Sequence, residues 1–319
     1  MTQDVGRRKM AVAALSVLSN TALVVLKLIV GLMIGSVSII SEAIHSGVDL
    51  LAAIIAFAAV RVSGRQPDEE HPFGHGKWEN ISGTVEALLI FLAAGWIIYE
   101  AIHKLVKPVE LAAVDWGVVV MLISVLANTI ISTKLFRVGR ETDSIALQAD
   151  AWHLRTDVYT SLGVMIGLAA IWVGKRLGPG LDLQWVDPLA AIVVALLIVR
   201  AAWHLTAESV RGLLDTRLSR EDEGWIRTYL QGVHDDVRGF HHLRTRKSGA
   251  SRFIEMHLMV PATMSVDEAH GINDLVTAGI REHFPDSRVM IHIEPCDGDC
   301  SPSCRAGCRQ PQYAGKNAE

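Results

Sequence analysis

An all-α membrane domain of six transmembrane helices, followed by a small α+β domain in the order α-β-β-α-β, is the fold that the sequence predicts. Three observations carry this. Roughly the first two thirds of the 319 residues is a series of long apolar runs with short charged breaks. The remainder has the mixed composition of a soluble domain. Within that remainder the apolar residues switch between helical and strand periods. The chain is 50% hydrophobic and only 20% charged, where an average soluble domain carries about 25% charge. Expected boundaries are 1–206 for the membrane domain, 207–296 for the α+β domain and 297–319 for a cysteine-containing tail.

A helix needs about 20 apolar residues to cross a bilayer. Candidate spans cover 11–33, 37–60, 81–103, 114–136, 146–173 and 186–204. Arg7, Arg8 and Lys9 before the first run imitate a signal peptide. The run is longer than a signal core and others follow it, so it is taken as the first span. Gly35 and Ser36 make the tight connection of a helical hairpin between the first two spans. Gly163 and Gly167 give the fifth span a small-xxx-small face for close helix packing.

Basic residues set the orientation. Arg7, Arg8 and Lys9, then Arg61, Arg65 and Lys77, then Lys134, Arg137 and Arg140 fall on one side. The other side has Lys104 and Lys107, then Lys175 and Arg176. The excess predicts both termini in the cytoplasm, with the protein in the inner or plasma membrane. Lys27 lies inside the first span and is expected to snorkel toward an interface.

The second span carries His45-x-x-x-Asp49 and the fifth carries His153-x-x-x-Asp157. Residues four apart share one helix face. Each helix therefore presents an imidazole beside a carboxylate, and two such helices facing each other bring four ligands together. Two nitrogens and two oxygens in a tetrahedron suit Zn²⁺. Ionisable groups at membrane depth cost about 2.5–3.5 kcal/mol for an Asp and are functional by default. The plain alternative is two private His–Asp hydrogen bonds that join helices. Glu42 and Asp150 lie nearby in sequence, in the second rank.

Beyond the spans, 219–233 is expected to be a capped helix, and 241–246 and 252–260 a pair of strands joined at 248–250. Ser265 and Glu268 form a capping box that opens a helix to about Phe284, and 288–294 is the last strand. This order is similar to metallochaperone folds. His241, His257, His270, His292 and Glu294 are its candidate metal ligands, whereas His234, His242 and His283 are expected to be ordinary surface residues. Scattered surface histidines are the plain alternative for the whole set. All four cysteines, Cys296, Cys300, Cys304 and Cys308, sit at the end with equal spacing. They suggest either a soft-metal site, used to capture zinc, or an inert extension. A net charge of −4 without a basic tract makes nucleic acid an unexpected partner.

These features together resemble the cation diffusion facilitator family over nearly the whole chain. The resemblance rests on six spans, His153-x-x-x-Asp157, the loop from Asp68 to Lys77, and the segment His241 to Arg246. It implies a homodimer that exports a divalent metal from the cytoplasm in exchange for protons. Members of that family with His-x-x-x-Asp in both spans are mostly zinc carriers, and some bacterial members, including iron/zinc types, have Asp where this chain has His45, which makes Zn²⁺ the first choice and leaves Fe²⁺, Cd²⁺ and Co²⁺ open. It further implies an accessory metal site at Asp68, His71 and His75, where the alternative is a turn with solvated histidines. It implies a binuclear centre bridging the C-terminal domains of two protomers, in which the usual Asp is Glu294 here, longer by one methylene. A charge contact from Lys77 to an acid such as Asp215 is also implied. A membrane metalloenzyme would need a motif such as His-Glu-x-x-His, which the sequence lacks. A non-transporting metal sensor would use the C-terminal domain alone.

Overall fold

The computed structural model describes residues 2–34, 37–106, 116–177, 185–296 and 308–309. Gly35, Ser36, Lys107, Cys300 and Cys304 lie outside the described residues, as do the side chains of Glu42, Gly167, Lys175 and Arg176. The elements run α1 (Thr2–Ile34), α2 (Val37–Ser63), α3 (Lys77–Val106), α4 (Trp116–Glu141), α5 (Ile145–Leu177), α6 (Val186–Leu213), α7 (Arg220–Gly232), β1 (Gly239–Ser248), β2 (Ser251–Pro261), α8 (Val266–His283) and β3 (Ser287–Cys296). They form two compact units, Met1–Arg211 and Gly212–Glu319. Helix α6 continues to Leu213, past the boundary expected at 206.

The first unit is the helical membrane domain. Among the described residues, 5 helices are long and apolar enough to cross a bilayer. The sixth, α5, is 33 residues long and carries the polar load of Asp150, His153, Arg155 and Asp157. Large apolar side chains such as Leu18, Leu32, Leu92, Trp96 and Leu126 point outward, while Ala52, Ala53, Ala56, Ala87 and Ala149 fill the interior. That inversion suits a bundle in lipid, where small residues let helices approach. A Cβ on Gly163 would stand 3.1 Å from Val194 of α6, and one on Gly83 would stand 2.6 Å from Ser209 Oγ. Both glycines are therefore contact points that a methyl group would push apart.

The second unit is a three-stranded sheet covered by α7 and α8 on one face. Strand β1 pairs antiparallel with β2, and β2 pairs parallel with β3. The parallel pair needs a crossover, which α8 supplies. Ser219 caps α7 by accepting from the Asp222 N–H at 3.0 Å. Ser265 and Glu268 form the expected capping box at the start of α8. Ile226 and Leu230 of α7, Ile254, Met256 and Leu258 of β2, and Ile272, Val276 and Ile280 of α8 make the core. Alternation then leaves Glu255 and His257 on the uncovered face.

Candidate functional site

Helices α2 and α5 bring the two His-x-x-x-Asp pairs together in crossed fashion. His153 Nε2 of α5 lies 3.2 Å from Asp49 Oδ1 of α2. His45 Nε2 of α2 lies 3.9 Å from Asp157 Oδ1 of α5. Ligand atoms of His45, Asp49 and Asp157 fall within 4.8 Å of one another. Both pairs cross between helices, and the hydrogen-bonded His153–Asp49 pair joins α5 to α2. His153 Nδ1 and Asp157 Oδ2 are buried without hydrogen-bond partners. An unsatisfied buried carboxylate oxygen is costly, and a cation among these four groups would satisfy it.

A cavity of about 340 Å³ reaches this cluster. His45, Ser46, Asp49 and Asp157 line its floor. Its walls come from α3 between Trp96 and Lys104, from α4 between Met121 and Asn128, and from the start of α6 at Pro188. All of these belong to the end of the bundle where α1 meets α2. At the opposite end, where α1 begins and α6 ends, the helices are held together by a buried carboxylate. Glu79 accepts from Lys9 Nζ at 2.8 Å, from Ser63 Oγ at 2.9 Å, and from Ser144 Oγ. That joins α1, α2, α3 and the α4–α5 turn. Arg8 and Glu141 add an exposed ion pair at 2.6 Å.

Three further buried ionisable residues lie near the cluster. Lys27 does not snorkel: it is 5% exposed, and its Nζ donates to Ser46 Oγ at 2.8 Å. Asp150 is fully buried one turn before His153, with neither carboxylate oxygen hydrogen-bonded. Glu86 of α3 is fully buried, bonded through one oxygen to Ser82 at 3.0 Å. An acid in the middle of an apolar span was the signal that could have picked out Glu86.

The loop between α2 and α3 gathers Asp68, His71 and His75. His71 Nδ1 is 3.3 Å from Asp68 Oδ1, and His75 Nε2 is 3.2 Å from Asp68 Oδ2. The turn is made by Gly74 at a φ of 85°, a conformation glycine adopts without steric cost. The backbone N–H of His71, donating to Asp68 at 2.7 Å, holds that carboxyl below the usual aspartate range. His75 is 5% exposed with Nδ1 unpartnered. A divalent cation fits the set.

On the open face of the sheet, three strands converge on one carboxylate. Glu294 lies 3.2 Å from His241 Nε2, 2.7 Å from His257 Nδ1 and 3.6 Å from His292 Nε2. Register explains this, since His241 stands opposite His257 and His257 opposite His292. The extra methylene of Glu294 lets it span two strands. Burial holds the His241 imidazole below its ordinary value, and the Glu294 carboxylate opposes that shift. His241 Nδ1 is buried without a partner, so a resident metal fits this donor set.

Within one protomer, His270 lies apart from that cluster. It sits on α8, 70% exposed and 3.6 Å from Asp274. The sheet separates it, because α8 packs on the face opposite the histidines. His242 is exposed, as expected of a surface residue, with its ring 4.7 Å from His241 and 5.0 Å from His257. A bulge between His241 and Arg244, with His242 at a φ of 50°, turns two consecutive histidines to one side. His283 stacks on Trp225 at 3.8 Å and is a packing residue. Asp215 pairs with Arg246 at 3.2 Å. Cys296 ends β3 opposite Pro261, and Cys308 lies against Gly239 on the far edge of β1. Three strand spacings separate them, roughly 14 Å, so these two cysteines do not share an ion within one protomer.

Residues 13–214 match the cation efflux transmembrane domain, and residues 218–296 match the cation efflux protein cytoplasmic domain. The chain belongs to the cation diffusion facilitator family. The uncharacterized transporter sll1263 of Synechocystis is 35% identical over 285 residues, covering 89% of this chain and 90% of that protein. The cation-efflux pump FieF of Klebsiella pneumoniae is 34% identical over 295 residues, covering 92% of this chain and 95% of that one. A solved structure of CzrB in its zinc form is 32% identical, with a TM-score of 0.25, and spans 27% of this chain and 96% of its own. As a cation diffusion facilitator, the chain is an integral membrane protein of a cation-efflux family, with a helical membrane domain and an α+β domain after it.

Proposed function

We propose that this chain exports a divalent transition-metal ion, Zn²⁺ in the first place, from the cytoplasm in exchange for protons. It works as a homodimer with both termini cytoplasmic. The observation that carries this is the crossed pairing of His45 with Asp157 and His153 with Asp49 across two helices. Two imidazoles and two carboxylates form a donor set that zinc accepts in tetrahedral geometry. The same groups bind protons, and metal ligands must be deprotonated, so metal and proton compete for one site.

The route follows from the cavity and the tie at Glu79. With the loop basic residues on the cytoplasmic side, the described state is open away from the cytoplasm. Protons arriving by that cavity displace the metal. Breaking the Glu79 tie would open the other end, giving alternating access. The loop cluster and the Glu294 cluster support a capturing or regulating role, in which metal favours one arrangement of the dimer through differential affinity.

The test is purified chain in liposomes with an imposed pH gradient. Zinc flux that follows the gradient and disappears in Asp157→Ala is the expected result. Flux indifferent to pH would remove the exchange, and flux surviving Asp157→Ala would remove the site. Competition of Fe²⁺, Cd²⁺ and Co²⁺ with Zn²⁺ in the same vesicles ranks the metals.

A further inference from the structure

A lysine ammonium cannot ligate a metal, yet one lies at the floor of the cavity. Lys27 of α1 is 5% exposed, and its Nζ donates to Ser46 Oγ at 2.8 Å. Ser46 is the residue after His45 and is itself buried. Lys27 lines the same cavity as His45, Asp49 and Asp157. Its charge is within electrostatic reach of the Asp157 carboxylate. A lysine in a span normally runs its stem along the helix to place the ammonium in an interface. Keeping it at depth instead is costly, unless nearby negative charge offsets that.

The negative charge is there. Asp49 and Asp157 both lie at this floor, and two carboxylates without a cation repel strongly in a medium poorer than water. With nothing to offset it, such a site would also hold an arriving dication too tightly to release it. A cation fixed to the wall competes at a constant effective concentration, whatever the metal level outside. Lys27 meets that requirement. Its flexible stem lets the ammonium approach the carboxylates, and Ser46 offers it an acceptor one residue from a candidate ligand.

We propose that Lys27 is a tethered counter-cation of the transport site: its ammonium stabilises the empty site and speeds metal release by competing with the metal for Asp49 and Asp157. This rests on the proposed transport site at His45, Asp49, His153 and Asp157. The function it adds is control of affinity, so Lys27 is a positioning residue for charge and not a ligand.

The experiment measures initial zinc flux against zinc concentration for the full chain in liposomes, with Lys27→Met, Lys27→Gln and Lys27→Arg. Methionine keeps much of the stem and removes the charge. Each neutral variant is expected to lower KM about tenfold and to lower maximal flux, because the metal leaves more slowly. Lys27→Arg is expected to keep both parameters close to wild type. A purely structural lysine would lower flux with no gain in affinity. An unchanged or raised KM in the neutral variants therefore overturns the proposal. So does a result in which Lys27→Arg folds while both neutral variants do not, since that assigns the charge to folding. Asp157→Ala separates the two levels. If it retains wild-type flux, the transport site itself is wrong. If it loses flux while Lys27→Met leaves KM unchanged, only the role of Lys27 is wrong.

Discussion

The intramembrane cluster and the open-face cluster use similar ligands in opposite ways. In the membrane unit, two helices each give one imidazole and one carboxylate, and the pairs cross between helices. In the C-terminal unit, three strands give imidazoles that converge on the single carboxylate of Glu294. The first cluster leaves Asp157 Oδ2 and His153 Nδ1 unpaired and has a cavity and a lysine beside it. The second has its acid engaged by His241, His257 and His292. On the proposed function, the site that must let an ion go stands on two separable helices, and the site that keeps its ion stands on one sheet.

That contrast can be broken most sharply at Asp157. Asp157→Ala, or Asp49→Ala, is expected to cut zinc flux by more than about 100-fold, measured in liposomes, while purified protein keeps its thermal midpoint. Glu294→Ala should do the reverse. It is expected to weaken zinc binding at the C-terminal unit by about 10- to 100-fold, read by equilibrium titration, and to reduce flux less than Asp157→Ala does. Equal flux losses for the two would erase the distinction between passing and resident ions.

A finer change sharpens the comparison. His45→Asp replaces a nitrogen donor by oxygen, which moves the membrane cluster toward harder ions. Zinc selectivity over Fe²⁺ in competition flux is expected to fall, and unchanged selectivity would remove His45 from the donor set.

The smallest effect concerns the fold of the second unit. Ser265→Ala is expected to cost about 1 kcal/mol in unfolding free energy. Its partner Glu268 has a carboxyl held below the ordinary 4.5 by hydrogen bonds from Ser265. A lowered folded value means that Glu268 stabilises fully above 4.5 and loses that contribution as pH falls through the folded value. Glu268→Gln should therefore destabilise at neutral pH and converge with wild type in acid. A constant difference across pH would deny the box its charge.

Much of this was legible in the residues. The repeat His45-x-x-x-Asp49 and His153-x-x-x-Asp157 identified two helix faces, because the helical period fixes which residues share a turn. Alternation along Ile254, Met256 and Leu258 fixed the buried face of β2, and so the exposed position of His257. What escaped was three-dimensional in origin. The nearness of His242 to His241 and His257 comes from a bulge, which breaks the period on which strand reading depends. His270 lies on α8, across the sheet from the cluster within one protomer, and no pattern along α8 reports that. The burial of Lys27 depends on Ser46 of the next helix, and no pattern within α1 reports that. The crossing of the pairs between α2 and α5, and the end at which the cavity opens, are likewise properties of packing.

The most direct test of one shared intramembrane ion is a count of zinc ions bound per chain at saturation, on purified full-length protein. Asp49→Ala and Asp157→Ala, alone and combined, should each lose the same single ion. If instead the α2 variant and the α5 variant each remove a separate ion, and the double variant removes two, the helices hold metals independently and the account is contradicted.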